Sequence, residues 1–248
     1  MPGQINESSG MQATASGGPV PRADGPTPAP SAPSAPNDAA VQRAAAVDEE
    51  LIRLYPDAGC TLDHDGPFQL LVATVLSAQT TDARVNTITP GLFARYPDAA
   101  ALAGADRADL ETRLRPLGMH HTRAARLIAL GAELVAAHGG AVPADRKALV
   151  ALPGVGRKTA NVVLGNAFGM PAITVDTHVG RLSRRLGWTT AHDPLAVERD
   201  LAALWAPERW TDGCHRLIMH GRTVCRARAP RCEACVLNAA GLCPRVGV

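Results

Sequence analysis

From residue 41 onward, apolar residues recur at helical spacing in runs that Pro and Gly cut short, a pattern that suits a packing of many short helices and little else. Leu51, Leu54 and Tyr55 share one face, and Leu70, Leu71, Thr74, Val75 and Ala78 share another after Pro67. The same spacing predicts helices at about 82–95, 107–114, 122–137, 145–151, 157–167, 176–186, 194–205 and 212–224. Between them stand Pro97, Pro116, Gly118, the Gly-rich run at 139–143 and Pro153-Gly154. No segment alternates apolar and polar residues as a half-buried strand would, and aromatic residues make up only 3% of the chain, so the expected fold class is all-α.

Residues 1–40 stand apart. They are rich in Pro, Ala, Gly and Ser and nearly lack large apolar side chains, so they cannot bury enough surface to offset their ordering entropy and are expected to form a disordered tail. The tail holds Arg22 against Glu7, Asp24 and Asp38, which leaves 24 basic and 20 acidic groups in the remainder. That mild basic excess permits nucleic-acid binding without arguing for it. Only Lys147 and Lys158 are lysines among the 25 basic residues, so a lysine kept against this bias is a candidate reactive amine. No stretch has the form of a signal peptide or a membrane span, and a cytoplasmic protein is expected.

The stretch Leu152-Pro153-Gly154-Val155-Gly156-Arg157-Lys158-Thr159-Ala160 lies between two short apolar helices. Glycines there let successive N–H groups point outward together at a helix N-terminus, where the dipole favours a phosphate. A plain helical corner whose glycines serve geometry alone would read the same way. Further on, Asp176 follows the apolar run Ile173-Thr174-Val175 and precedes Thr177-His178-Val179, a position suited to a helix N-cap. Near the end, Cys225, Cys232, Cys235 and Cys243 are separated by gaps of six, two and seven residues. Four thiolates this close can wrap one cluster, while zinc usually takes two tight pairs and only one is present. Arg226, Arg228 and Arg231 lie between the first two cysteines, either as phosphate contacts or as a solvated basic loop; Cys60 and Cys214 are isolated.

Together, the Leu-Pro-Gly-Val-Gly-Arg-Lys-Thr-Ala string, the Val-Asp-Thr-His string at 175–178 and the cysteine loop resemble the endonuclease III type of helix-hairpin-helix DNA glycosylase. The resemblance covers about residues 41–248, although that family's cysteine gaps are six, two and five. It implies two helical lobes with a DNA cleft between them: a helical barrel at 60–170 carrying the helix-hairpin-helix at about 146–165, and a lobe made of 41–59 and 171–248 that holds one 4Fe-4S cluster on the four cysteines. It further implies a monomer acting on double-stranded DNA with a damaged base or an abasic site, oxidised pyrimidines being the lesions. Lys158 falls at the nucleophile's position and Asp176 at the catalytic aspartate's. Gly154, Val155, Gly156 and Arg157 would hold DNA. Leu76-Ser77-Ala78-Gln79-Thr80-Thr81-Asp82 resembles the segment whose Gln enters the vacated base stack, which makes Gln79 the plug. Met119, after Leu117-Gly118, stands where the family commonly has a Leu wedge.

The implied chemistry requires both residue types. Cleaving an N-glycosidic bond develops oxocarbenium character that a carboxylate stabilises, and a neutral amine captures the anomeric carbon. Desolvation and a cationic neighbourhood that includes Arg157 would help free that amine, while Asp176 would oppose it. The rivals are a monofunctional mismatch glycosylase, which generally lacks the lysine, a non-enzymatic helix-hairpin-helix DNA-binding module, which would need no aspartate beside it, and a zinc-binding interaction protein, which metal analysis would separate.

Overall fold

The computed structural model describes residues 37–248. The expected tail falls almost wholly outside them, but its boundary moves. Asn37 accepts a hydrogen bond from the amide of Ala40 and caps α1 (Asp38–Leu54), so the first helix starts before residue 41. There follow α2 (Gly66–Ser77), α3 (Asp82–Asn86), α4 (Thr89–Arg95), α5 (Ala99–Ala103), α6 (Arg107–Leu114), α7 (His120–His138), α8 (Arg146–Ala151) and α9 (Arg157–Ala167). The chain ends with α10 (Thr177–Arg185), α11 (Pro194–Leu204), α12 (Trp210–Thr223) and the single-turn α13 (Val236–Ala239). There is no strand among the described residues, and the fold is all-α. The helix expected at 82–95 is two: α3 stops at Asn86, and Pro90, which brings no amide hydrogen, sits in the first turn of α4.

Two apolar cores result. One is built from residues between Leu62 and Ala172 and includes Leu70, Leu76, Leu114, Leu127 and Leu134. The other joins Ala44, Val47 and Leu51 of α1 to Ile173 and to residues of α10 to α13. Gly131 lets α5 and α7 approach closely in the first core, since a Cβ there would lie 2.7 Å from the amide nitrogen of Ala103. In the second, Asp48 of α1 is fully buried and binds Arg216 of α12 through Oδ1 (2.9 Å) and Arg209 through Oδ2 (2.8 Å). That charge network ties the helix nearest the chain start to the C-terminal part of the fold. None of the described helices is long and apolar enough to cross a membrane.

Candidate active site and cysteine loop

A cleft of about 620 Å³ opens where the two cores meet. Thr74, Ser77 and Asp82 line it from α2 and α3, and His178, His215 and Arg222 line it from α10 and α12. Lys158 and Asp176 are both on its walls. Asp82 and Arg222 form an ion pair across it at 3.3 Å, and Thr61 donates to the same Asp82 oxygen at 2.5 Å.

Lys158 is the second residue of α9 and is exposed. The turn before it is held by Leu152 and Val155, both buried, and by Gly154, whose φ of +80° is a conformation that other residues rarely adopt. Val155 differs from its expected place among the outward donors: its side chain packs in the core and its amide donates to the carbonyl of Leu152 at 3.1 Å. The outward donors left are at the start of α9, where Gly156 is the N-cap and no side chain caps the helix. Arg157 makes a bidentate pair with Glu198 of α11, at 2.6 and 2.9 Å, which raises its own pKa. Its charge is therefore directed to Glu198 and away from the amine beside it.

Asp176 caps α10. Its Oδ1 accepts from the amide of Val179 at 2.8 Å, so the N-cap reading and a place on the cleft wall are both satisfied. A link between the two candidate catalytic residues escaped the sequence reading. One turn after Lys158, the buried Asn161 donates through Nδ2 to the carbonyl of Ile173 at 2.7 Å, fixing α9 to the segment that leads into Asp176. An Asn set among the apolar residues Ala160, Val162, Val163 and Leu164 was the available signal. His215, also on the cleft wall, is paired through Nε2 with Asn166 Oδ1 at 2.7 Å, and burial pushes its pKa down. Cys60 lines the cleft, whereas Cys214 is buried and burial pushes its thiol up to about 12.

Gln79 and Met119 occupy the exposed tips of two separate turns, and both have left-handed backbone, with φ of +69° and +47°. Such a conformation is uncommon outside glycine. Met119 leaves 57% of its surface in solvent.

The four cysteines come together despite the longer last gap. Cys225, Cys232, Cys235 and Cys243 all line one pocket beside Leu182 and Leu237. Among the described residues no three His, Cys, Asp or Glu side chains close on a point suited to one metal ion. Arg185 of α10 pins the loop, donating to the carbonyls of Arg226 (2.7 Å) and Ala227 (3.1 Å) and to Cys225 Sγ (3.3 Å). Arg226, Arg228 and Arg231 are exposed, and none is in an ion pair among the described residues.

The model of the HhH-GPD superfamily of base excision DNA repair proteins matches residues 72–207. Endonuclease III of Synechocystis sp. is 50% identical over 204 residues, covering 82% of this chain and 92% of the relative. Endonuclease III of Bacillus subtilis is 45% identical over 185 residues, covering 74% and 84%. A solved non-covalent Endonuclease III–DNA complex superposes with a TM-score of 0.77 at 43% identity, over 83% of this chain and 95% of that one. A trapped Endonuclease III–DNA covalent intermediate does so with the same TM-score and identity, over 83% and 96%.

Proposed function

Because the chain belongs to the HhH-GPD superfamily of base excision DNA repair proteins, we propose that it is a bifunctional DNA glycosylase and AP lyase acting on oxidised pyrimidines in duplex DNA. The observation that carries this reading is an amine and a carboxylate, Lys158 and Asp176, on the walls of one cleft next to a helix N-terminus with free amides. The cleft volume falls within the usual range for small-ligand pockets, which suits an extruded nucleotide.

The DNA backbone rests on the amides at the start of α9, the hairpin turn of Gly154 and Gly156 supplying the close approach, and on Arg226, Arg228 and Arg231. Gln79 and Met119 fill the space the base leaves. Asp176 stabilises positive charge on the sugar as the N-glycosidic bond breaks, and the base leaves with the bonding electron pair and takes a proton from water. The Lys158 amine, in its neutral form, bonds to the anomeric carbon and gives up one proton; the sugar ring then opens as the C1′–O4′ bond breaks and O4′ takes up a proton, leaving a protonated Schiff base. Loss of a proton from the adjacent sugar carbon then expels the 3′ phosphate oxygen, and water later hydrolyses the imine and frees the lysine. Arg157, held by Glu198, orients the hairpin against α11 and does not serve as a free charge beside Lys158.

Four cysteine thiols around one pocket, only two of them a tight Cys-x-x-Cys pair, are a donor set that fits a 4Fe-4S cluster. When bound, such a cluster would cross-link the loop that carries the three arginines. Arg185 already fixes that loop from α10.

The test is borohydride trapping on duplexes that contain an oxidised pyrimidine. Wild-type protein should give a covalent adduct, and Lys158→Gln should give none while still binding DNA. An adduct at wild-type level with Lys158→Gln would refute the assignment and turn attention to Lys147, the chain's other lysine, which is exposed on α8 and does not line the cleft.

A further inference from the structure

Arg123 lies one turn into α7 and is only 5% exposed, yet it binds no carboxylate among the described residues. Its guanidinium faces backbone carbonyls alone. Nε donates to Gly118 at 3.0 Å, Nη2 to Ala78 at 2.8 Å, and Nη1 to Leu76. Leu76 lies in the last turn of α2, Ala78 is its C-cap and immediately precedes Gln79, and Gly118 immediately precedes Met119. One planar fork thus spans the bases of the two turns whose tips are the exposed, left-handed Gln79 and Met119.

This arrangement is costly. Burial works against the charge, as does the neighbouring Arg126, and the compensation comes only from carbonyl dipoles. If the sole need were to cap the C-terminus of α2, an exposed cation in its last turn would do so without being buried. Five donors in a fixed plane offer something more, namely a set distance and angle between two loops 40 residues apart in sequence.

We propose that Arg123 is the positioning residue that makes Gln79 and Met119 act as one two-pronged device on the duplex, so that base extrusion depends on it and the chemistry at Lys158 does not. The inference rests on the reading of Gln79 and Met119 as plug and wedge. With the fork gone, each turn can relax from its left-handed conformation independently, and the prongs no longer enter the stack in register.

The test compares wild type with Arg123→Lys, which keeps the charge but not the planar fork, and Arg123→Met, which keeps the length only. Single-turnover base release from a paired lesion, fluorescence of 2-aminopurine beside the lesion, and strand cleavage at a preformed abasic site are read together with thermal unfolding. Both variants should lose about tenfold or more in base release and in the extrusion signal while abasic-site cleavage stays within about threefold of wild type. Arg123→Lys carries the decision if Arg123→Met is unfolded. Equal losses on both substrates would reduce Arg123 to a structural residue, and full base release by Arg123→Lys would overturn the role of the fork. Gln79→Ala and Met119→Ala run in parallel: if neither slows base release, the plug-and-wedge reading fails and this inference with it. If they slow it and the Arg123 variants do not, only this inference fails.

Discussion

Asp176→Asn and Asp176→Ala remove the same negative charge but leave different helix caps. In the structure Oδ1 accepts from the Val179 amide at 2.8 Å, a bond that an Asn side-chain oxygen can replace and a methyl group cannot. Loss of an N-cap of this kind destabilises a protein by about 1 kcal/mol, and in a body of this size that lowers Tm by roughly 2–4 °C. Both variants also lose the favourable meeting of a carboxylate with the start of α10, worth about 0.3–1 kcal/mol. Asp176→Asn should therefore melt roughly 1–4 °C below wild type, and Asp176→Ala roughly a further 2–4 °C below that. Catalysis should divide differently. A preorganised group aimed at developing charge contributes roughly 10²–10³ in rate, so both variants should lose that much in single-turnover base release. The assays are thermal unfolding and quench-flow base release on a duplex with an oxidised pyrimidine, each with bound DNA verified by titration. Base release by Asp176→Asn within about threefold of wild type would refute the electrostatic role and leave Asp176 as a cap alone.

Asp48→Ala should destabilise the protein by about 3–5 kcal/mol, since it leaves the buried Arg216 without its partner, and chemical denaturation of the variant checks this. Protein purified anaerobically should carry about four irons and four sulfides per chain, and stoichiometric zinc without sulfide would remove the cluster assignment. Burial holds the pKa of His215 below its ordinary value of 6.5, so the unfolded chain binds more protons as pH falls through that value. Its contribution to stability is thus present above about 6.5 and is lost on acidification below it; His215→Gln should flatten that part of the pH–stability curve, and an unchanged slope would contradict the assignment.

Much of this protein can be read from consecutive residues. The helical periodicity, the Pro and Gly breaks, the 152–160 hairpin, the cap at Asp176 and the crowding of four cysteines are local features, set by backbone sterics and short-range spacing, and each is evident in the amino-acid order. Where a local rule was incomplete, the error was local too. The helix expected at 82–95 divides before Pro90, and Val155 turns inward because its apolar side chain packs in the core while its amide bonds to Leu152 within the turn.

Tertiary structure decided everything that joins distant parts of the chain. Arg157 looked like a free charge beside Lys158 until folding brought Glu198, 41 residues away, into a bidentate pair with it. Asp48 finds Arg209 and Arg216 across 161 and 168 residues. Cys243 reaches the other three thiols in spite of its longer gap, because α13 and the turn after it return the chain to their pocket. Arg123 is the plainest case, since its partners are main-chain carbonyls that every residue possesses, and no residue type marks where they will be. Propensity and spacing act between neighbours in sequence, whereas burial, charge pairing and the distance between two loop tips exist only after the helices have packed.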